Sequence, residues 1–86
     1  MVDLAMIQKQ GLYLARERGL AKDPLSTFNH ISGEVEEAYL EYEDQDIDKL
    51  RLELADIILT TLSLGEELGI NMEQAIIDKH DINLRR

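Results

Sequence analysis

The segment ELADIILTTL, from Glu53 to Leu62, is the centre of a stretch whose apolar residues fall on nearly every side of an α-helix. From about Ile47 to Leu68, the spacing of leucine and isoleucine predicts one long helix. A helix that is apolar nearly all round is expected to be buried on most sides, by its own domain and by a partner chain. Glu53 and Asp56 would then lie where charge is unfavourable, so we expect something to neutralise them.

Helical spacing continues through the rest of the chain, which contains one proline, three tyrosines and one phenylalanine. The pattern predicts a four-helix, bundle-like, all-α fold that forms a single domain over residues 1–86. The first helix is predicted from about Asp3 to Arg18, and the fourth from Asn71 to about Asn83. An apolar face is predicted on the second helix, formed by Phe28, Ile31, Val35, Ala38, Tyr39 and Tyr42.

Several residues mark the predicted helix ends. Asp23 followed by Pro24 is a strong start signal for the second helix, and Asn71 begins the fourth, with Gln74 in the capping-box position. The glycines at 19 and 69 are predicted to end the first and third helices. The polar run EDQDID, residues 43–48, is predicted to form a loop, with Asp46 or Asp48 capping the third helix.

Composition limits the class of protein. The formal net charge is −9, which argues against a nucleic-acid-binding protein, because such proteins use a basic face to displace counterions from the phosphate backbone. The chain has no cysteine, and no apolar run has the length that a membrane span requires. We therefore expect a cytoplasmic protein without disulfides. An 86-residue chain buries a small core, so a homo-oligomer is also expected.

Two acid pairs carry the candidate chemistry. Glu34 and Glu37 are three residues apart, and so are Glu53 and Asp56, so each pair lies on one helix face and can bind one ion. If the second and third helices are antiparallel neighbours, the four carboxylates converge in the groove between them. Ligands that are all oxygen favour a hard cation, Mg²⁺ or Mn²⁺. No histidine follows a glutamate at the spacing of a di-iron site, which argues against that kind of centre. The alternative to a metal site is that these acids are ordinary solvated side chains.

The C-terminal end of the chain adds a second candidate group. Lys79, Asn83 and Arg86 are spaced by four and three residues and project from one helix face or its frayed end. A cation, an amide and a guanidinium in a row suit phosphate recognition. The alternative is that the two cations only complement the helix dipole.

Taken in order, these motifs resemble the MazG-like branch of the all-α nucleoside triphosphate pyrophosphohydrolases. The resemblance covers roughly residues 25–86, through the E-x-x-E pair, the E-x-x-D pair, the segment EELGINMEQAI and the K-x-x-x-N-x-x-R end of the chain. It implies Mg²⁺-dependent hydrolysis of nucleoside triphosphates, including noncanonical ones, to monophosphate and pyrophosphate, a house-cleaning role, in a homodimer or a homotetramer made of two dimers. It also implies that Glu34, Glu37, Glu53 and Asp56 are catalytic metal ligands and that Lys79, Asn83 and Arg86 contact phosphate or sugar.

The chain departs from the family pattern at two positions, one of which is Glu36, where the family commonly has glycine. The family commonly has a glutamate directly before E-x-x-E, where this chain has Gly33. Phe28 and His30, one or two turns earlier, are candidates to contact the base or sugar, with a core role as the alternative for Phe28. Two other functions stay open: a noncatalytic nucleotide- and metal-binding helical module, and phosphoribosyl-ATP pyrophosphohydrolase.

Overall fold

The computed structural model describes residues 2–86 and is built from four α-helices. They are α1 (Leu4–Glu17), α2 (Pro24–Glu43), α3 (Ile47–Glu67) and α4 (Met72–Leu84), and the described residues form no strand. The predicted all-α, four-helix fold is confirmed. Within residues 2–86, none of the helices combines the length and apolar character needed to cross a membrane.

Each helix begins at a side-chain cap. Asp3, Asp46 and Asn71 each accept a hydrogen bond from the backbone N–H three residues later, at 3.1 Å. Asp23 does the same at 2.7 Å, and the Ser26 hydroxyl in turn accepts from the Asp23 N–H, which completes a reciprocal capping box. These bonds satisfy backbone donors that would otherwise have no partner in the first turn.

The predicted capping box at the start of α4 forms only in part. Asn71 accepts from the backbone N–H of Gln74, as expected. The Gln74 side chain instead donates to Asp78 Oδ1 at 2.8 Å, one turn further along the helix. The reciprocal bond that defines the box lies at Asp23 and Ser26 on α2.

The predicted loop over residues 43–48 is too long. Glu43 is the last residue of α2. Asp46 caps α3, which therefore begins at Ile47. Asp48 falls in the first turn of α3, where a negative charge is favourable. Gln45 adopts a left-handed conformation, with φ of 59°, and makes the turn tight. The short connection brings α2 and α3 side by side as an antiparallel pair.

α3 is the central helix of the fold. It packs against α1, α2 and α4, whereas α4 packs against α1 and α3. The buried apolar residues are few: Leu12, Ala21, Ala38, Leu62 and Leu64. Two buried polar side chains join the helices, because Gln8 Nε2 donates to the Ile70 carbonyl at 2.7 Å and the hydroxyl of the fully buried Thr27 donates to Glu67 Oε1.

The predicted apolar face of α2 does not form the contact with α3. Of its six residues only Ala38 is buried, while Phe28, Val35, Tyr39 and Tyr42 are all at least half exposed. The buried residues of α2 are instead Thr27, Glu34 and Ala38. The helix is rotated so that a partly polar stripe faces α3 and the aromatic stripe faces outward.

α3 is also less buried than its composition predicts. Within this one chain its buried residues are Leu62, Ser63, Leu64 and Gly65, at the end near α4. Leu52, Leu54, Ile58 and Leu59 are exposed. That a partner chain covers these residues stays a prediction.

Candidate metal site and cavity

Three of the four predicted acids meet between α2 and α3. Glu34, Glu53 and Asp56 each offer a carboxylate oxygen, and these three oxygens lie within 4.8 Å of one another. Glu37 lines the same cavity from α2 and is exposed. The convergence of the two acid pairs follows from the antiparallel pairing of their helices, and the three-acid group can hold a metal ion.

Glu34 is the most buried member of this acid cluster. Its side chain belongs to the stripe that α2 turns toward α3, and the residue is only 8% exposed. Its Oε1 is buried with no hydrogen-bond partner in the described part of the chain, and its Oε2 lies 3.6 Å from His30 Nε2. A buried carboxylate oxygen with no partner is unfavourable, so this atom is placed to bind a cation.

The prediction that Glu53 and Asp56 lie where a charge is unfavourable is confirmed only in part. Asp56 is exposed and Glu53 is half-buried. The apolar residues that surround them in sequence, such as Leu52 and Ile58, are themselves exposed in this chain, so they provide no buried environment. Glu34, whose sequence neighbours are mostly polar, is instead the most buried of the three acids.

The charge cluster acts most clearly on Glu53. Partial burial raises the pKa of Glu53, and the neighbouring negative charges of Glu37, Asp56 and Glu34 raise it further. The Glu37 carboxylate, as an acceptor for the protonated form of Glu53, raises this pKa in the same direction. A bound metal ion would act in the opposite direction, because it favours the ionised carboxylates.

The acid cluster opens into a cavity of about 380 Å³ between α1, α2 and α3. Gly11 and Ser63 line the end away from the acids, where the helices approach closely: a Cβ at Gly11 would lie 3.1 Å from Ser63 Oγ. Hydroxyls of Thr27 and Thr60 complete the walls, together with aliphatic side chains from α1, from the connection after it and from α3. The cavity therefore joins a strongly acidic end to a mixed apolar and hydroxyl-lined end.

Of the other predicted site residues, one lines the cavity and the rest lie outside its wall. His30 lines the cavity beside Glu34. Phe28 is 55% exposed and is not part of the cavity wall, so neither the base contact nor the core role is seen within the chain. Lys79, Asn83 and Arg86 are exposed on α4 or just beyond it and do not line this cavity. Their contact with a substrate stays a prediction.

Sequence reasoning missed the contribution of α1 to the site. Gly11, Leu14, Ala15 and Arg18 line the cavity from this helix, although α1 carries none of the motifs. In the sequence, Arg18 marked only the predicted end of the first helix. No local pattern could show which face of α1 packs near the acids, because that depends on how α1 crosses α3.

The chain matches no protein-family model, no curated protein and no solved structure. The likeness to MazG-like enzymes therefore depends on the order and spacing of the chain's own motifs.

Proposed function

We propose that the protein is a MazG-like, Mg²⁺-dependent nucleoside triphosphate pyrophosphohydrolase that acts in nucleotide house-cleaning. The observation that carries the proposal is the buried, unpartnered Oε1 of Glu34 in a group of acids whose oxygens lie within 4.8 Å of one another. A solvated acidic surface gives no reason to bury such an atom. A cation-binding centre does.

In this proposal Glu34, Glu53 and Asp56 hold Mg²⁺, with Mn²⁺ as a substitute, and Glu37 completes the set. Carboxylates without histidine or cysteine suit a hard ion that keeps several of its waters. Bound Mg²⁺ would offset phosphate charge and polarise the attacking water, which is most of what phosphoryl-group hydrolysis requires of a protein. The acids would position the ion, and the three helices would restrict the approach of the triphosphate.

The cavity supports a small-molecule substrate. Its volume of about 380 Å³ lies within the range of roughly 300–1,000 Å³ typical of ligand pockets. The acidic end would receive the metal and phosphates, and the end near Gly11 and Ser63, with its hydroxyl and aliphatic groups, would receive the sugar or base. His30 lines the cavity, with its Nε2 at 3.6 Å from Glu34 Oε2.

We also propose that the protein assembles as a homodimer or a homotetramer. Its accessible surface is 6631 Å², whereas a compact monomer of 9.9 kDa exposes about 5,200 Å². The difference of roughly 1,400 Å² exceeds the about 800 Å² that each partner contributes to a standard interface. The exposed aromatic stripe of α2 and the exposed leucines of α3 account for apolar surface that a second copy would cover.

A noncatalytic nucleotide- and metal-binding module is the second candidate, and Gly33 favours it. A Cβ at Gly33 would have no neighbour within 4 Å, so the position faces open space and nothing replaces the glutamate usual in the family. If that acid orients water, its loss would spare binding and remove turnover.

The test is pyrophosphate release from standard, deoxy, oxidised and methylated nucleoside triphosphates and from phosphoribosyl-ATP, with Mg²⁺ or with a chelator. Turnover that requires Mg²⁺ and is lost in Glu37→Gln and Asp56→Asn supports the enzyme. Glu36→Gln is the matched control, because Glu36 is exposed on α2 and outside the cavity wall. Metal and nucleotide binding without turnover would favour the noncatalytic module, and full activity in Asp56→Asn would contradict the proposed site.

A further inference from the structure

Arg18 is held at the cavity by the end of α1. It is the C-cap residue, and its backbone N–H donates to the Leu14 carbonyl. Gly19 follows in a left-handed conformation, with φ of 70°, and the Leu20 N–H returns to the Ala15 carbonyl at 2.8 Å. This is a helix-ending motif that fixes the backbone through main-chain bonds, so the Arg18 side chain has no part in forming the turn.

The packing register brings Arg18 to the level of the acids. α1 and α3 are antiparallel, because Gln8 contacts Ile70 and Gly11 approaches Ser63. Arg18 lies seven residues after Gly11, and Asp56 lies seven residues before Ser63, so each is about two helical turns, or roughly 10 Å, from that close approach. Both residues line the same cavity.

The charge of Arg18 is unusual for its surroundings. Four of the residues that line the cavity are acids, and within residues 2–86 Arg18 is the one lysine or arginine in the cavity wall. Despite this, its guanidinium lies beyond 4.0 Å of every carboxylate in the described chain, since the ion pairs there involve His30, Lys49 and Arg85. The side chain is exposed and is therefore free to bind an anion that enters the cavity.

We propose that Arg18 is a phosphate-binding residue of the site, an inference that rests on the proposed function. A triphosphate beside four carboxylates brings together many negative charges, and Mg²⁺ offsets only part of them. A guanidinium is always charged and presents a planar fork that matches two phosphate oxygens. Arg18 would supply this contact from α1, on the wall across from the metal-binding acids of α2 and α3.

The experiment compares Arg18→Gln and Arg18→Lys with Arg16→Gln as a matched control. Arg16 lies in the last turn of the same helix, is exposed and does not line the cavity. Calorimetry measures Mg²⁺ alone, inorganic pyrophosphate with Mg²⁺, and a hydrolysis-resistant nucleoside triphosphate analogue with Mg²⁺. Circular dichroism melts of each variant verify that the fold persists.

Arg18→Gln is expected to weaken pyrophosphate and analogue binding roughly tenfold or more, since a hydrogen bond between charged groups is lost. Mg²⁺ binding alone should stay within about twofold, Arg18→Lys should recover part of the loss, and Arg16→Gln should leave all three affinities within about twofold. Where the wild type has turnover, the Arg18→Gln defect should appear mainly in KM.

Three results would overturn the inference: equal effects of Arg18→Gln and Arg16→Gln, loss of analogue binding with pyrophosphate binding intact, or no binding of any phosphate by the wild type. The second would assign Arg18 to the nucleoside. Failure of the proposed function is seen separately, as absent turnover in a wild type that still binds pyrophosphate through Arg18.

Discussion

Glu34→Gln should make the metal-free protein more stable while abolishing its response to Mg²⁺. The substitution keeps the size of the side chain and removes its charge. Glu34 and Asp56 place carboxylate oxygens within 4.8 Å of each other, a repulsion of about 0.9 kcal/mol even with the dielectric constant of water. A neutral amide atom costs less to bury without a partner than the charged Oε1 does, a difference of about 1 kcal/mol, so the unfolding free energy should rise by about 2 kcal/mol.

For a domain of this size, that change raises Tm by roughly 8–16 °C in the presence of a chelator. Mg²⁺ at a hundredfold excess over its Kd should stabilise the wild type by about 2.7 kcal/mol and leave the variant nearly unchanged. The wild type, less stable than the variant by about 2 kcal/mol without metal, should therefore become the more stable protein by about 0.7 kcal/mol when Mg²⁺ is added. Calorimetric melts with chelator and with Mg²⁺ measure both effects.

The matched control is Glu36→Gln, which makes the same charge change at an exposed position of α2. It should alter Tm by little and keep the full Mg²⁺ response. If Glu34→Gln proved less stable than the wild type without metal, the buried charge of Glu34 would not destabilise the metal-free protein. If it kept the Mg²⁺ response, the ion would bind elsewhere.

Three further predictions concern pH, Gly33 and a helix cap. The pKa of Glu53 is raised in the folded state, so the metal-free wild type should lose stability relative to Glu53→Gln as pH rises from the ordinary glutamate pKa, about 4.3, through the raised value. Urea denaturation across this pH window measures the difference in unfolding free energy between the two proteins. A difference that stays constant with pH would contradict the prediction. Gly33→Glu should have a higher turnover than Gly33→Ala. Both variants gain helix propensity of up to about 1 kcal/mol, but only the first adds a carboxylate. Equal pyrophosphate release by the two variants would show that a carboxylate at position 33 does not contribute to catalysis. Asp23→Ala should lower the unfolding free energy by about 1 kcal/mol, measured by urea denaturation, whereas an unchanged midpoint would show that the capping box adds nothing.

The helix boundaries were largely predictable because their signals are local. Asp23 before Pro24, Asp46 near the start of the apolar segment, and the glycines at 19 and 69 each act within one turn of their own position. The short connection after Glu43 also made the antiparallel pairing of α2 and α3 predictable. With that pairing, the spacing of each pair brings the acids close to the groove between the helices, whereas the meeting of Glu34 with Glu53 and Asp56 also requires the rotation that turns Glu34 toward α3.

The rotation of each helix about its axis was not predictable in the same way. A hydrophobic pattern on α2 indicates which face is apolar, but not whether that face meets another helix of the same chain. Here Val35 and Tyr39 face outward while Thr27 and Glu34 face α3. The participation of Arg18 likewise depends on how α1 crosses α3, which leaves no local mark in the sequence.

The outward aromatic stripe and the buried Glu34 are two consequences of one rotation of α2. Turning the helix to bury Tyr39 and Val35 against α3 would bury more apolar surface within the chain, yet it would carry Glu34 away from Glu53 and Asp56. The observed orientation leaves both an exposed apolar face and a buried charge, which are unfavourable for an isolated, metal-free domain. A cation at the acid cluster would offset the buried charge, and a second copy of the chain on the aromatic stripe would offset the exposed apolar face. In the proposed enzyme, metal binding and self-association therefore favour the same orientation of α2.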